Sequence, residues 1–101
     1  MNVVITDEAH QRLEKELNFL VQVRQLPEFK ALQLGKKLLK KAVSLSQHPY
    51  MGQEEPFLIT LNQGHKRLIE GDFKIIYFIE NNTVYVTNFF NTRRDPESMK
   101  G

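Results

Sequence analysis

Three cations in the second half of the chain, Arg67, Lys74 and Arg93, stand at spacings that would gather them on one face of a sheet. In "GDFKIIYFIENNTVYVTNFF", residues 71–90, Asn81-Asn82 separates two apolar runs, and asparagine tolerates the positive φ angles that two-residue hairpins demand. With that pair as the loop, Ile79 faces Val84, Tyr77 faces Val86 and Ile75 faces Asn88. Gly71-Asp72 as a second two-residue loop sets Ile69 opposite Lys74, Arg67 opposite Ile76 and His65 opposite Phe78. Opposed residues of an antiparallel pair project from one face. Arg67, Lys74 and His65 therefore share a side with Tyr85, and the same parity carried past Phe89 reaches Arg93. Like charges repel unless their gathering serves an anion, so the expected chemistry is the holding of a phosphate or of an anionic target surface. The candidate binding residues are Arg67, Lys74, Arg93, His65 and Tyr85. No residue is assigned a catalytic role. Other readings stay open: Arg67 could pair with Asp72, Glu80 or Asp95, Arg93 and Arg94 could solvate the end of the last strand, and His65 taken alone reads as structural. Blunting of an edge strand is a weak explanation for Lys74, whose strand is expected to be flanked on both sides.

Elements must position these groups. The opposite face of the same hairpin would carry Phe73, Ile75, Tyr77, Ile79, Val84, Val86 and Phe90, an apolar layer suited to receive helices. A short strand at 3–5 leads to Thr6 or Asp7, either able to cap a helix running to about residue 24. Ala9, Leu13, Leu17, Leu20 and Val21 form its apolar stripe. Leu26-Pro27 interrupts the pattern. A second helix is predicted over 28–47, with Ala31, Leu34, Leu38, Ala42 and Leu45 on one side and Lys36, Lys37, Lys40 and Lys41 on the other. Gly35 beside the stripe would let the first helix approach closely. The lysines are most simply a solvated face. His48-Pro49-Tyr50-Met51-Gly52 ends the helix, and the piece around Phe57, Ile59 and Leu61 is expected to be a strand or an extended packed loop.

The 101 residues, 41% of them hydrophobic, suit a single domain over 1–101 that buries roughly 60–65% of its unfolded surface without staples. No cysteine is present, which excludes disulfides and thiolate metal sites. Neither a cofactor nor a metal is expected. The amino-terminal "MNVVITDEAH" lacks a basic region followed by an apolar run, and the longest wholly apolar run, 75–79, is far too short to span a bilayer. The expectation is a cytoplasmic protein with no membrane partner. A net charge of +2 is too small to announce a nucleic-acid binder by itself.

The order of a short strand, a helical hairpin, "SLSQHPYMGQEE" and "GHKRLIEGDFKIIYFIENNTVYVTNFFNTRRDPES" resembles the RelE/ParE superfamily, the toxins of type II toxin–antitoxin modules, often labelled plasmid stabilisation proteins. The resemblance spans nearly the whole chain. It rests on Leu45, Pro49 and Gly52 at the helix end, on arginine-leucine followed by glycine and "FKIIY", and on "NTRRDP". It implies an α+β fold in which a helical hairpin packs on one face of a mainly antiparallel sheet, together with a cognate antitoxin, encoded nearby, as partner. RelE-type members cut messenger RNA on the ribosome with basic residues of the exposed sheet face. Those positions fall on His65, Arg67, Lys74 and Arg93, whereas the aromatic position falls near Met99, which can neither transfer a proton nor stack as tyrosine does. The "TRRDP" ending looks instead like ParE-type members, associated with poisoning DNA gyrase by binding. A ParE-like toxin that inhibits growth is therefore the leading expectation. The alternatives are a ribosome-dependent messenger-RNA endoribonuclease, in which Tyr85 or His65 would carry the proton, and a non-toxic basic binding module. The antitoxin tail is expected to fold on contact, anchored by apolar surface of the helical hairpin and by Phe57, Leu58 and Ile59.

Overall fold

A computed structural model describes residues 1–61 and 64–93, residues 59–61 by their backbone alone. In chain order it contains strand β1 (Asn2–Ile5), helix α1 (Asp7–Gln22), helix α2 (Glu28–Val43) and a 3-10 turn (Ser44–Ser46). Strand β2 (Gln53–Glu54), a 3-10 segment (Pro56–Leu61) and strands β3 (Lys66–Glu70), β4 (Phe73–Glu80) and β5 (Thr83–Asn91) follow. The sheet order is β1-β5-β4-β3-β2, with β1 parallel to β5 and every other neighbour antiparallel. This is the expected α+β arrangement. β4 lies at its centre, so Lys74 is indeed flanked on both sides.

Turn chemistry sets the register. Asn81 and Asn82 adopt φ of +51° and +58°, and Gly71 adopts +58°, the left-handed values that two-residue hairpins require. From these turns Ile79 pairs with Val84, Tyr77 with Val86, Ile69 with Lys74 and Arg67 with Ile76, as parity predicts. The prediction then fails at one place. β5 carries a bulge: Tyr77 opposes Val86 but Ile76 opposes Asn88, so Thr87 is an extra residue. Beyond the bulge the faces exchange. Phe89 pairs with Ile75 and joins the main core, while Phe90 pairs with Lys74 and faces the other way.

The main core fills the space between the helices and one sheet face. Ala9 and Leu13 of α1, Leu38 and Ala42 of α2, and Leu45 meet Leu68, Phe73, Ile75, Tyr77, Val84, Val86 and Phe89. Thr6 couples α1 to the sheet. Its hydroxyl accepts from the Ala9 amide at 3.1 Å and donates to the Val86 carbonyl at 3.0 Å, so one side chain caps the helix and ties it to β5. Gln25, at φ +58°, ends the first helical run, and the Leu26 amide donates back to the Leu20 carbonyl at 2.9 Å. A Cβ on Gly35 would come 2.9 Å from Leu17 Cδ1, which is the close helix approach expected there. The regular turns of α2 stop at Val43 rather than at 47, and the chain tightens into the 3-10 turn that buries Leu45. The piece after Glu55 is a 3-10 segment, neither strand nor extended loop.

Gly52, just before β2, packs directly against the sheet. Its amide donates at 2.9 Å to the hydroxyl of the fully buried Tyr77, and a Cβ there would collide with that hydroxyl and lie 2.5 Å from the Arg67 carbonyl. Burial raises the Tyr77 pKa above its ordinary 10.0, the Gly52 amide opposing this. The protonated phenol therefore stabilises the fold fully below pH 10.0, and that contribution is lost as pH climbs toward the folded value. Tyr77→Phe strands the Gly52 amide and is expected to cost about 1–3 kcal/mol. Gly52→Ala forces overpacking at a similar cost of about 1–3 kcal/mol. Urea melts of both variants at neutral pH check the magnitudes, and the Tyr77→Phe variant should lose less stability than the parent above pH 10.0.

Candidate functional site

The second sheet face is where the candidate residues were expected, and two of the three cations meet there. Arg67 projects from β3 and Lys74 from β4, and between them lies a carboxylate that periodicity did not single out. Glu55 is fully buried. Lys74 Nζ lies 3.0 Å from Glu55 Oε2 and 3.2 Å from Oε1, and Arg67 Nη1 lies 3.5 Å from Oε2. The side chains of Arg67 and Lys74 are only 21% and 14% exposed. Both were expected on an open surface. They are instead half-sequestered in an ion triad, because the chain between β2 and β3 crosses over this face and brings its own acid.

Local structure explains how Glu55 arrives. β2 adds two residues to the edge of β3, pairing Gln53 with Arg67 and Glu54 with Lys66. The Glu55 amide then donates to the His65 carbonyl at 3.0 Å, which turns its side chain beneath the 3-10 segment. Glu55 Oε1 accepts from the Phe57 amide at 3.3 Å, and the Phe57 ring lies 5.3 Å from Lys74 Nζ, on the side of a cation–π contact. Leu58 is buried against Ile76 and Phe90, a small second cluster on this face. Of the three apolar residues expected to meet an antitoxin, Phe57 offers surface, being 48% exposed, whereas Leu58 does not. Leu58 is consumed by its contact with the sheet. The side chain of Ile59 lies outside the described residues, as do Met99, Arg94 and Asp95.

Arg93 does not join the pair. The bulge at Thr87 reverses the parity of the end of β5, so Asn91 pairs with Phe73 and turns toward the helices. Thr92 follows it, donating through both amide and hydroxyl to the Asp72 carbonyl at 2.8 and 2.7 Å. Arg93 Nε lies 3.4 Å from Asp72 Oδ2, with both side chains largely in solvent, a pair worth little in free energy. It edges a cleft of about 350 Å³ on the helical side, lined also by Phe19, Leu20, Lys37, Glu70 and Phe73. The doubled Phe89-Phe90 after the alternating Val84 and Val86 was the available sign of the slip, since an apolar spacing of three breaks a period of two.

His65 and Tyr85 belong to a neighbouring row. Phe78 stacks on Tyr85 with centroids 5.2 Å apart and meets the His65 ring edge-on at 5.4 Å. His65 is 7% exposed, its Nδ1 has no hydrogen-bond partner among the described residues, and burial pushes its pKa below the ordinary 6.5. A buried, neutral imidazole packed on phenylalanine is poorly placed to pass protons. The helical side of the molecule offers a different kind of surface. A groove of about 470 Å³ between α1 and α2 is lined by Leu13, Leu17, Val21, Ala31 and Leu32, with His10, Glu14 and Glu28 supplying polar edges.

A helical hairpin on one face of a five-stranded mixed sheet, with a parallel amino-terminal strand and a basic pair on the other face, defines the class as a RelE/ParE-type α+β domain. The chain belongs to the ParE toxin family: the model for the ParE toxin of type II toxin-antitoxin system, parDE, matches residues 3–96. Among solved structures, a chain of the chromosomal ParDE TA system from P. aeruginosa shares the fold at a TM-score of 0.72 and 17% identity, over 90% of this chain and 95% of that one. No curated protein matches the sequence. Among the described residues no helix is long and apolar enough to cross a membrane.

Glu55→Ala leaves two cations facing each other without their shared acid and is expected to cost about 3–5 kcal/mol. Lys74→Ala should cost less, because Arg67 still faces the carboxylate; chemical denaturation of both variants measures the difference. For His65 the folded pKa lies below 6.5, so the unfolded chain takes up a proton first and stability falls as pH drops through that value. His65→Gln should therefore flatten the decline in melting temperature between about pH 7 and pH 5.5, a window set by the ordinary histidine pKa.

Proposed function

We propose that the protein restrains growth by docking on a macromolecular target, DNA gyrase being the first candidate, and performs no covalent chemistry of its own. Membership of the family implies an antitoxin partner. The single observation that carries docking over ribonuclease chemistry is the state of the sheet face. Both readings use the cations of this face, but a messenger-RNA ribonuclease also needs a group ready to move a proton. Here His65 is buried with a lowered pKa and packed on Phe78, and Tyr85 is stacked on the same ring.

In this reading the target meets the second sheet face around Arg67, Lys74 and Tyr85, with Arg93 contributing at most a separate contact from the helical side. The cognate antitoxin, encoded beside the toxin, lays an amphipathic segment into the α1–α2 groove. Leu32, 64% exposed, supplies apolar surface at that groove, and Glu14 and Glu28 at its edges leave the apolar side of the segment as the anchor. Exposed Phe57 adds a second anchor on the opposite face.

Induced expression tests the proposal. Growth arrest with DNA-damage signalling and intact RNA is the expected result, and reproducible codon-linked messenger-RNA cleavage by purified protein on translating ribosomes would replace it with the ribonuclease. Normal growth would leave a non-toxic binding module. Leu32→Glu should weaken capture by the co-expressed antitoxin by at least about tenfold, the cost of roughly 1.4 kcal/mol at a buried apolar anchor, while leaving growth inhibition in place.

A further inference from the structure

Residues 53–58, Gln-Glu-Glu-Pro-Phe-Leu, sit on the second sheet face in the manner of a bound peptide. They add a two-residue strand to the edge of β3, seat a carboxylate on two cations, lay an aromatic ring over one of those cations and insert a leucine between Ile76 and Phe90. Strand addition, a charged anchor and an apolar anchor are the parts from which sheet edges recognise extended segments. Here all three are supplied from within the chain.

The charge of this arrangement is unbalanced. Two cations share one anion, and among the described residues Arg67 Nε, a buried donor, has no hydrogen-bond partner. Burying a carboxylate is costly and is offset only by good pairing, so a fully buried Glu55 that leaves a donor unsatisfied is a poor device for stability alone. It is a reasonable one for holding a site closed. The cover is thin as well, since Phe57 is 48% exposed and Leu58 is the one buried apolar side chain described in the segment after Glu55.

We propose that residues 53–58 are a self-occluding strap: Glu55 occupies a site on Arg67 and Lys74 that an acidic–aromatic peptide segment of a protein partner takes over by exchange. The inference rests on the reading of this face as a docking surface and names the chemistry of what docks there. A peptide is favoured over a nucleic acid because the resident occupant is itself a carboxylate followed by an apolar anchor and reaches the site by pairing with a strand edge. A nucleic acid reproduces the charge but neither the strand nor the leucine pocket.

The test uses the intact chain and an acetylated, amidated peptide of sequence Gln-Glu-Glu-Pro-Phe-Leu. A site open in only a fraction of molecules shows an affinity reduced by that fraction, so Glu55→Gln should bind this peptide at least about tenfold more tightly than the parent. The peptide with glutamine in place of its second glutamate should lose that gain. Leu58→Ala opens the strap without altering any charge and should raise peptide affinity in the same direction, which keeps the test valid where Glu55→Gln fails to fold. In the parent protein, added peptide should speed proteolysis within residues 53–61. Folded variants that bind the peptide no better than the parent overturn the proposal, as does a gain seen for a single-stranded oligonucleotide or inorganic phosphate in place of the peptide. Growth inhibition is scored separately: peptide exchange in a protein that does not arrest growth supports the strap and removes the toxic role of this face, whereas growth arrest without exchange overturns the strap and leaves that role standing.

Discussion

The carboxylate of Glu55 is the point on which the second face of the sheet turns. Pairing of β3 with β4 puts Arg67 beside Ile76 and Lys74 beside Ile69, which gathers two positive charges on a surface already made partly apolar by Ile76 and Phe90. Two such cations, little exposed, would repel strongly in a medium less polarisable than water. Glu55 resolves this by entering between them, and its entry dictates the rest: the two-residue strand at the edge, the 3-10 segment above, Phe57 over the ammonium and Leu58 in the small cluster. Because the pair is sheltered, salt screens it far less than it screens the exposed Arg93–Asp72 contact.

The two faces of the molecule consequently have different physics. On one, helices and sheet share a continuous apolar core, tied by the Tyr77 hydroxyl at the Gly52 amide and the Thr6 hydroxyl at the Val86 carbonyl. Among the described residues, the segment over the other is held by charge and by one leucine. A surface of the second kind exchanges contacts at lower cost, which suits recognition, while the first supplies the rigidity that keeps Arg67 and Lys74 in register. The α1–α2 groove is a third surface, which shares Leu13 with the core but none of its lining with the second face.

Much of this was legible in the sequence where local chemistry sets structure. Asparagine pairs and glycine-aspartate fix hairpin phase, so the pairing of Arg67 with Ile76 and of Lys74 with Ile69 followed from counting, as did the helical hairpin from its apolar stripes. What escaped depended on long-range events. A single extra residue at Thr87 exchanges the faces of Phe89 and Phe90 and carries Arg93 away from the basic pair. The acids that the hairpins and the last strand offer Arg67 are Asp72, Glu80 and Asp95, whereas the one that reaches it is Glu55, carried onto this face by the chain after β2, a placement that no periodicity encodes. The burial of Leu58 is likewise not legible, because nothing in "EEPFLIT" distinguishes a docked 3-10 segment from an extended loop.

The central claim, that Glu55 and Lys74 interact directly in a sheltered site and thereby close this face, is tested most directly by a double-mutant cycle. Stabilities of the parent, Glu55→Gln, Lys74→Met and the double variant would be measured by urea denaturation at neutral pH. The account predicts a coupling energy of at least about 1 kcal/mol, well above what distant sites show, with the double variant more stable than the sum of the single losses allows. A coupling within about 0.3 kcal/mol of zero, the additivity expected of independent positions, would contradict it.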